Sequence, residues 1–175
     1  EPALGRMNQH ATGYLAEQKI AKRIGSTGPG MTPYQAYSCA DDYLIIAAPN
    51  DRMFARLNEV LGHPEWTTDP RFLTNPSRWD HKEILNDLIE LVTTTQPRQH
   101  WQDRLDDVGI PNAPLQDISQ VLAHPQTDAL DIVQETEDGR FKLMGMPLRF
   151  DGVRPEQKTG SPELGEFNPQ FYGQQ

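Results

Sequence analysis

The chain has 175 residues, 36% of them hydrophobic, with 15 prolines, 13 glycines and a formal net charge of −9; mean hydropathy is −0.69 and the pI near 4.9. That length suits one domain, or one small domain with appended segments, and this composition allows only a modest core joined by long connectors. The acidic balance excludes nucleic acid and anionic membrane surfaces as expected partners, because both present charge of the same sign.

Residues 3–18 carry Leu4, Met7, Ala11, Tyr14 and Leu15 at helical spacing. Gly5 and Gly13 each weaken that helix by about 1 kcal/mol relative to alanine, so it needs a packing partner. Residues 19–24 (KIAKRI) are basic, and 25–33 (GSTGPGMTP) have turn chemistry throughout. Tyr34 to Ala40 and Asp42 to Ala48 read as two strands joined at Ala40-Asp41-Asp42. The second contains a continuous apolar run that suits burial on both faces. Asn50 is placed to cap a helix whose inner face is Met53, Phe54, Leu57, Val60 and Leu61, ending at Gly62.

Residues 63–76 read as a loop with a helical turn around Pro64-Glu65-Trp66. A helix over 77–95 is expected next, with Trp79, Ile84, Leu85, Leu88, Ile89 and Val92 inward. Pro97 opens a further helix carrying Trp101, Leu105 and Val108 and closed by Gly109. Ile110 to Leu115 is extended. A short helix over 117–123 and a proline-marked loop lead to a hairpin, 131–137 with 140–145, turning at Asp138-Gly139. Beyond Phe150 the chain is punctuated by proline and glycine and is expected to run over a surface. The fold class that follows is α+β: a small antiparallel sheet from hairpins near 34–48 and 131–145, with several amphipathic helices.

The one cysteine, Cys39, has no partner for an internal disulfide, which suits a cytoplasmic protein. The longest apolar run, Tyr43 to Pro49, is far too short to span a membrane. The sequence opens on Glu1 inside a helical pattern, so it is expected to be a piece of a longer polypeptide.

GSTGPG at 25–30 lacks the Lys-Ser/Thr of a phosphate-binding loop and does not follow a strand as a dinucleotide fingerprint does. It reads either as a connector or as a loop that moves or lets a ligand approach bare backbone. The histidines, His10, His63, His81, His100 and His124, are too widely spaced to suggest a metal site, and none is expected. Asp41-Asp42 and Asp106-Asp107 read as solvated punctuation at a turn and a helix end. Ser38 and Cys39 have no histidine nearby in sequence, and no catalytic residue is assigned.

A set of blocks in fixed order carries a resemblance. PYQAY (33–37), the stretch from Asp41 to Phe72 with Asn75 and Arg78 downstream, GIPNAPL (109–115), MPLRFDG (146–152) and SPELGEF (161–167) resemble family III CoA-transferases of the CaiB–BaiF type. The similarity runs from about residue 10 to about residue 167. It implies that this chain is the small-domain portion of a protein roughly twice as long, whose large Rossmann-like domain binds coenzyme A and whose two subunits interlock as a homodimer. On that reading residues 1–24 are a helical crossing segment, 25–150 the small α+β domain and 151–175 a return segment that packs on the missing large domain.

The resemblance also implies the chemistry. An aspartate of the large domain attacks an acyl-CoA thioester, giving a mixed anhydride and then an aspartyl-CoA thioester, and CoA passes to a free carboxylic acid. That aspartate lies upstream of this chain, which alone is expected to be inactive and to bind no cofactor; the coenzyme A thioester is a substrate of the full-length enzyme. Gly25, Gly28 and Gly30 fall where the family carries a glycine-rich loop that closes over the active site. Tyr34 and Gln35 follow it, either lining the acyl pocket or anchoring the loop. The family's Leu-Gly-Glu-His near the C-terminus reads Leu164-Gly165-Glu166-Phe167 here, which removes a polar contact at the domain junction. Two other readings stay open: an acyl-CoA racemase or isomerase built on the same fold, and a non-catalytic interaction module.

Overall fold

The computed structural model describes residues 5, 7–18, 20–156 and 160–172. It divides into two compact units, 1–115 and 116–175. Among the described residues no helix is long and apolar enough to cross a membrane.

The first unit holds the core. A first helix, α1 (Asn8–Glu17), buries none of its residues. Met7, Tyr14 and Leu15 are exposed, so the apolar stripe expected over 3–18 faces solvent in this chain; Leu4 lies outside the described residues. Strands β1 (Tyr34–Ser38) and β2 (Tyr43–Ala47) pair antiparallel, Tyr34 opposite Ala47 and Ser38 opposite Tyr43. A third strand, β3 (Asn112–Pro114), pairs antiparallel with β2 and makes the order β1-β2-β3. The expectation that β2 is buried on both faces is corrected: Leu44 and Ile46 are fully buried, Ile45 and Ala47 only partly, and Tyr43 is exposed. The side-chain period of two sends alternate residues to the helix-covered face.

Helix α2 (Asp51–Leu61) forms as its sequence dictates. The Asn50 side chain accepts a hydrogen bond from the Met53 N–H at 2.9 Å, and the chain leaves the helix at Gly62, whose N–H bonds back to Asn58 and Glu59. Phe54, Leu57, Val60 and Leu61 are buried against the sheet's Tyr37, Leu44 and Ile46 in one cluster. A 3-10 turn (Pro64–Thr68) drops Trp66 into the same cluster.

The single helix expected over 77–95 is instead two, α3 (Asn75–Asp80) and α4 (Lys82–Thr93), with His81 between them at φ −110°, ψ 22°. Thr74 caps α3 and Pro76 sits in its first turn, so the helix starts earlier than the apolar pattern suggests. The break changes which side faces inward: Leu85 and Ile89 are buried, Ile84 is exposed, and Trp79 is only half-buried. Helix α5 (Arg98–Asp107) adds Trp101 and Leu105 to the core. The Trp101 indole N–H, buried with its ring, donates to the Thr93 carbonyl at 2.8 Å, as a buried tryptophan requires.

Asp41 and Asp42 are more than solvated punctuation. Asp41 accepts from the Arg98 N–H at 2.7 Å, and Asp42 pairs with the Arg98 guanidinium at 2.8 Å, fastening the hairpin turn to the start of α5. The backbone N–H of Arg98 holds the Asp41 carboxyl below its ordinary range. Hydrogen bonds from Arg71 draw Asp69 down from 3.8 to about 2, and His63 lowers Glu65. A carboxylate whose folded value is depressed contributes stability that is whole above its unfolded value and lost as pH falls through the folded one. Thermal melts are therefore expected to be flat from neutral pH down to about 5 and to fall steadily toward pH 2. Asp69→Asn should flatten the low end of that profile; an unchanged profile would remove Asp69 from the account.

The second unit begins with α6 (Ile118–Leu122), whose Asp117 and Gln120 form a reciprocal capping box. What reads in sequence as a proline-marked loop is a further short helix, α7 (Pro125–Ala129), capped by His124. Strands β4 (Val133–Glu135) and β5 (Lys142–Met144) form the second expected hairpin. Its turn is wider than Asp138-Gly139 implies. Thr136 pairs with Phe141, leaving Glu137 to Arg140 as the connection, and Asp138 accepts from the Thr136 hydroxyl and the Arg140 N–H. The tail is not wholly irregular: Asn168–Tyr172 is a short helix, α8. Among the described residues this unit buries Thr136 and Arg154 but no large hydrophobic side chain, while Met144, Met146, Leu148, Phe150 and Val153 are all exposed.

Candidate functional site

The groups with a claim to function gather where the glycine-rich segment meets the sheet. Segment 25–32 lies against the outer edge of β1, and three hydrogen bonds hold it there. The Gly28 N–H donates to the Tyr34 carbonyl at 2.8 Å. The Ala36 N–H donates to the Ser26 hydroxyl at 3.1 Å, and the Thr27 hydroxyl donates to the Gln35 side-chain oxygen at 2.9 Å. Farther along the same edge, Ser38 gives its N–H to Glu90 and takes the Thr93 hydroxyl, both from α4. An edge strand with unpaired backbone groups invites foreign strands; here a loop and a helix cover it.

Two glycine positions have local reasons. A Cβ on Gly28 would sit 2.4 Å from Cδ1 of the Tyr34 ring, so only glycine allows this approach. Gly30 has φ of +70°, in the left-handed region that other residues avoid. Gly25 lies at the opposite end of the segment with φ +62° and open space around it.

The C-terminal end of the loop is clamped by α3. Asn75 donates from Nδ2 to the Gly30 carbonyl at 2.9 Å and accepts at Oδ1 from the Thr32 N–H at 3.1 Å. Three residues on and on the same helical face, Arg78 donates from Nε to the Thr32 carbonyl at 2.9 Å. Its other nitrogens reach the Phe72 carbonyl at 3.0 Å, the Pro49 carbonyl at 2.8 Å and Asp51 Oδ1 at 2.9 Å. The guanidinium lies 4.5 Å from the Phe54 ring centroid and its side chain is 0% exposed, against 65% for Asp51. Burial draws the Arg78 pKa down and Asp51 opposes it; an arginine nonetheless keeps its proton in a protein. One buried cation thus joins the loop, the end of β2, the start of α2 and the 63–74 connection.

The five residues singled out from the sequence, Gly25, Gly28, Gly30, Tyr34 and Gln35, come together in this one place. Tyr34 meets the loop through its carbonyl and the face of its ring. Gln35 meets it through one oxygen, which also takes the Asn86 Nδ2 at 3.1 Å. Sequence reasoning passed over Asn86, Ser26 and Thr27, and met Asn75 and Arg78 only as parts of a motif. Arg78 left no periodic signal: a cation does not count toward an apolar face, and the break at His81 interrupts the helical phase between it and Leu85.

The chemistry available here is that of holding and shielding. Burial, then the nearby Glu90 carboxylate, raises the Tyr37 phenol far above its ordinary value. Burial, then Asp41, pushes the Cys39 thiol up to about 11. Both therefore stay protonated at neutral pH and are poor nucleophiles. Among the described residues no group of three or more His, Cys, Asp or Glu is placed to hold a metal ion.

Residues 1–168 match the family model described as CoA-transferase family III. Among curated proteins, the chain is 33% identical over 154 residues to an acetyl-CoA:oxalate CoA-transferase of Acetobacter aceti, covering 87% of this chain and 39% of that protein. It is 27% identical over 159 residues to a human succinyl-CoA:glutarate CoA-transferase, covering 89% of this chain and 36% of that protein. The crystal structure of a CaiB/BaiF family protein from Brucella suis superposes with a TM-score of 0.80 at 32% identity, covering 95% of this chain and 43% of that one. The chain therefore spans well under half the length of these relatives.

Proposed function

Because the chain belongs to CoA-transferase family III, we propose that it is the small-domain portion of an acyl-CoA:carboxylate CoA-transferase. Its loop at 25–30 covers an active site whose nucleophilic aspartate lies in the large domain. The observation that carries this is the loop itself: clamped at its C-terminal end by Asn75 and Arg78, laid along a strand edge, and exposed at Gly25 and Gly30. A segment held at its base with glycine at both ends can swing over a reacting centre. The purpose of such a cover in this reaction is exclusion of water from an anhydride that water would destroy.

On this reading Gly25 and Gly30 present bare backbone to the acyl group, Gly28 seats the loop against the Tyr34 ring, and Tyr34 and Gln35 hold the loop there. Residues 1–24 and 151–175 flank the small domain and pack on the large one in an interlocked homodimer. The exposed apolar side chains Tyr14 and Leu15 of α1 and Val153 of the return segment support that packing, since each would be covered by a large domain. The two curated relatives named above are both CoA-transferases, which favours transfer over racemisation; acetyl-CoA with oxalate is the first donor and acceptor to test.

The test compares the full-length polypeptide with the isolated 175-residue chain. The full-length protein is expected to move CoA from acetyl-CoA to a carboxylic acid, while the isolated chain shows no transfer. The isolated chain is expected to bind CoA no more tightly than about 1 mM, a binding free energy of only ~4 kcal/mol. Transfer by the isolated chain, or α-proton exchange without transfer in the full-length protein, would overturn the proposal.

A further inference from the structure

We infer that Asn86 is a positioning residue: it sets the orientation of the Gln35 side chain and, through Gln35, latches the 25–30 loop against β1. The role in the reaction rests on the reading of that loop as an active-site cover.

The argument is one of hydrogen-bond polarity. The Tyr37 side chain is fully buried, and its hydroxyl donates to Asn86 Oδ1 at 2.8 Å. The buried phenol needs an acceptor for its proton, and among the described residues Asn86 Oδ1 is the one it meets; with the amide turned over that proton would go unpaired, so the Asn86 NH2 points the other way. That NH2 meets Gln35 Oε1 at 3.1 Å. Gln35 therefore turns its oxygen, not its nitrogen, toward the loop, and the Thr27 hydroxyl donates to that oxygen at 2.9 Å. Tyr37, Asn86, Gln35 and Thr27 form a connected chain between core and loop, in which the Asn86 and Thr27 donors converge on Gln35 Oε1.

The other bonds to the β1 edge, from Gly28 and to Ser26, are local to the loop and strand. Only the Thr27 contact is tied through side chains to a helix, α4. The loop therefore has a fixed base at Asn75 and Arg78 and a separate, lighter fastening near its middle. A single neutral hydrogen bond is light enough to open during turnover and strong enough to bias the loop toward one position.

The experiment is amide hydrogen exchange on the full-length polypeptide with Thr27→Val, Asn86→Leu and Thr27→Ser. Exchange at Gly28 and Ala36 is expected to speed up about 5- to 10-fold in the first two variants, as for loss of one hydrogen bond. Thr27→Ser keeps the hydroxyl and should match the parent. Amides of β2 should not change in Thr27→Val or Thr27→Ser; in Asn86→Leu, which also strips the buried Tyr37 hydroxyl of its acceptor, the loop amides should speed up more than those of β2. Unchanged loop exchange in Thr27→Val, or equal acceleration through the whole unit, overturns the latch. This readout needs no activity, so it stands or falls apart from the transferase reading. In an active enzyme, the ratio of acyl-CoA hydrolysis to transfer should rise about 5- to 10-fold in Thr27→Val and return with serine. Faster loop exchange with an unaltered ratio overturns the role in the reaction.

Discussion

Arg78→Met is expected to destabilise the first unit by about 3–5 kcal/mol, the cost of breaking a buried ionic hydrogen-bond network by removing one member. Methionine fills most of the volume, so a cavity is not the main cause. The loss lies in three carbonyls, of Thr32, Phe72 and Pro49, to which the guanidinium donates. Water would have to enter a site that is now closed, or the carbonyls would stay unpaired at about 1–3 kcal/mol each. Arg78→Lys should recover little, because one ammonium cannot reach three directions separated by the width of a guanidinium fork. Asp51→Asn is the informative contrast. Asp51 is 65% exposed, so its loss should cost under about 1 kcal/mol, the range of an exposed pair. Urea denaturation followed by tryptophan fluorescence measures all three. Equal losses for Arg78→Met and Asp51→Asn would mean that the ion pair, not the carbonyl network, carries the effect.

On the proposed transferase reading, Gly28→Val is expected to lower the transfer activity of the full-length polypeptide by about 100-fold while leaving the stability of the unit within about 1 kcal/mol of the parent. The new Cβ would stand 2.4 Å from Tyr34 Cδ1 and 2.9 Å from Cγ. Those atoms belong to the base of a ring on a paired strand, not to the free end of a flexible chain, so the loop must yield. Lifting it breaks the Gly28–Tyr34 bond and shifts the segment by roughly 1 Å, a displacement large enough for that loss when a loop must close on reacting atoms. The stability cost stays small because the loop contributes no side chain to the core cluster before Tyr37. Gly28→Ala should show the same direction with a smaller loss. Normal activity in Gly28→Val would take the loop out of the reaction.

These expectations separate what local sequence encodes from what it does not. Helix α2 is legible end to end because its signals are local: a cap at Asn50, five apolar residues on one face, a stop at Gly62. The two hairpins were legible for the same reason, although the second turns over four residues because Asp138 organises a wider loop. The 77–95 stretch was misread as one helix, since periodicity counts apolar residues and could not register that Thr74 and His81 partition the segment or that a cation takes a core position. β3 was legible only as extended chain. Its pairing with β2 lies more than sixty residues away in sequence, and nothing in Asn112-Ala113-Pro114 names its partner.

The candidate site divides along the same line. Composition and order alone determined that the chain is acidic, core-poor and α+β, that a glycine-rich loop precedes the first strand, and that five spaced blocks resemble one transferase family. Only the tertiary structure decided that Asn75 and Arg78, more than forty residues downstream, clamp that loop, and that Asn86 orients Gln35 against it. The physical reason is that hydrogen bonds between side chains and distant carbonyls leave no periodic trace: their partners are chosen by packing, and packing exists only once the chain has folded.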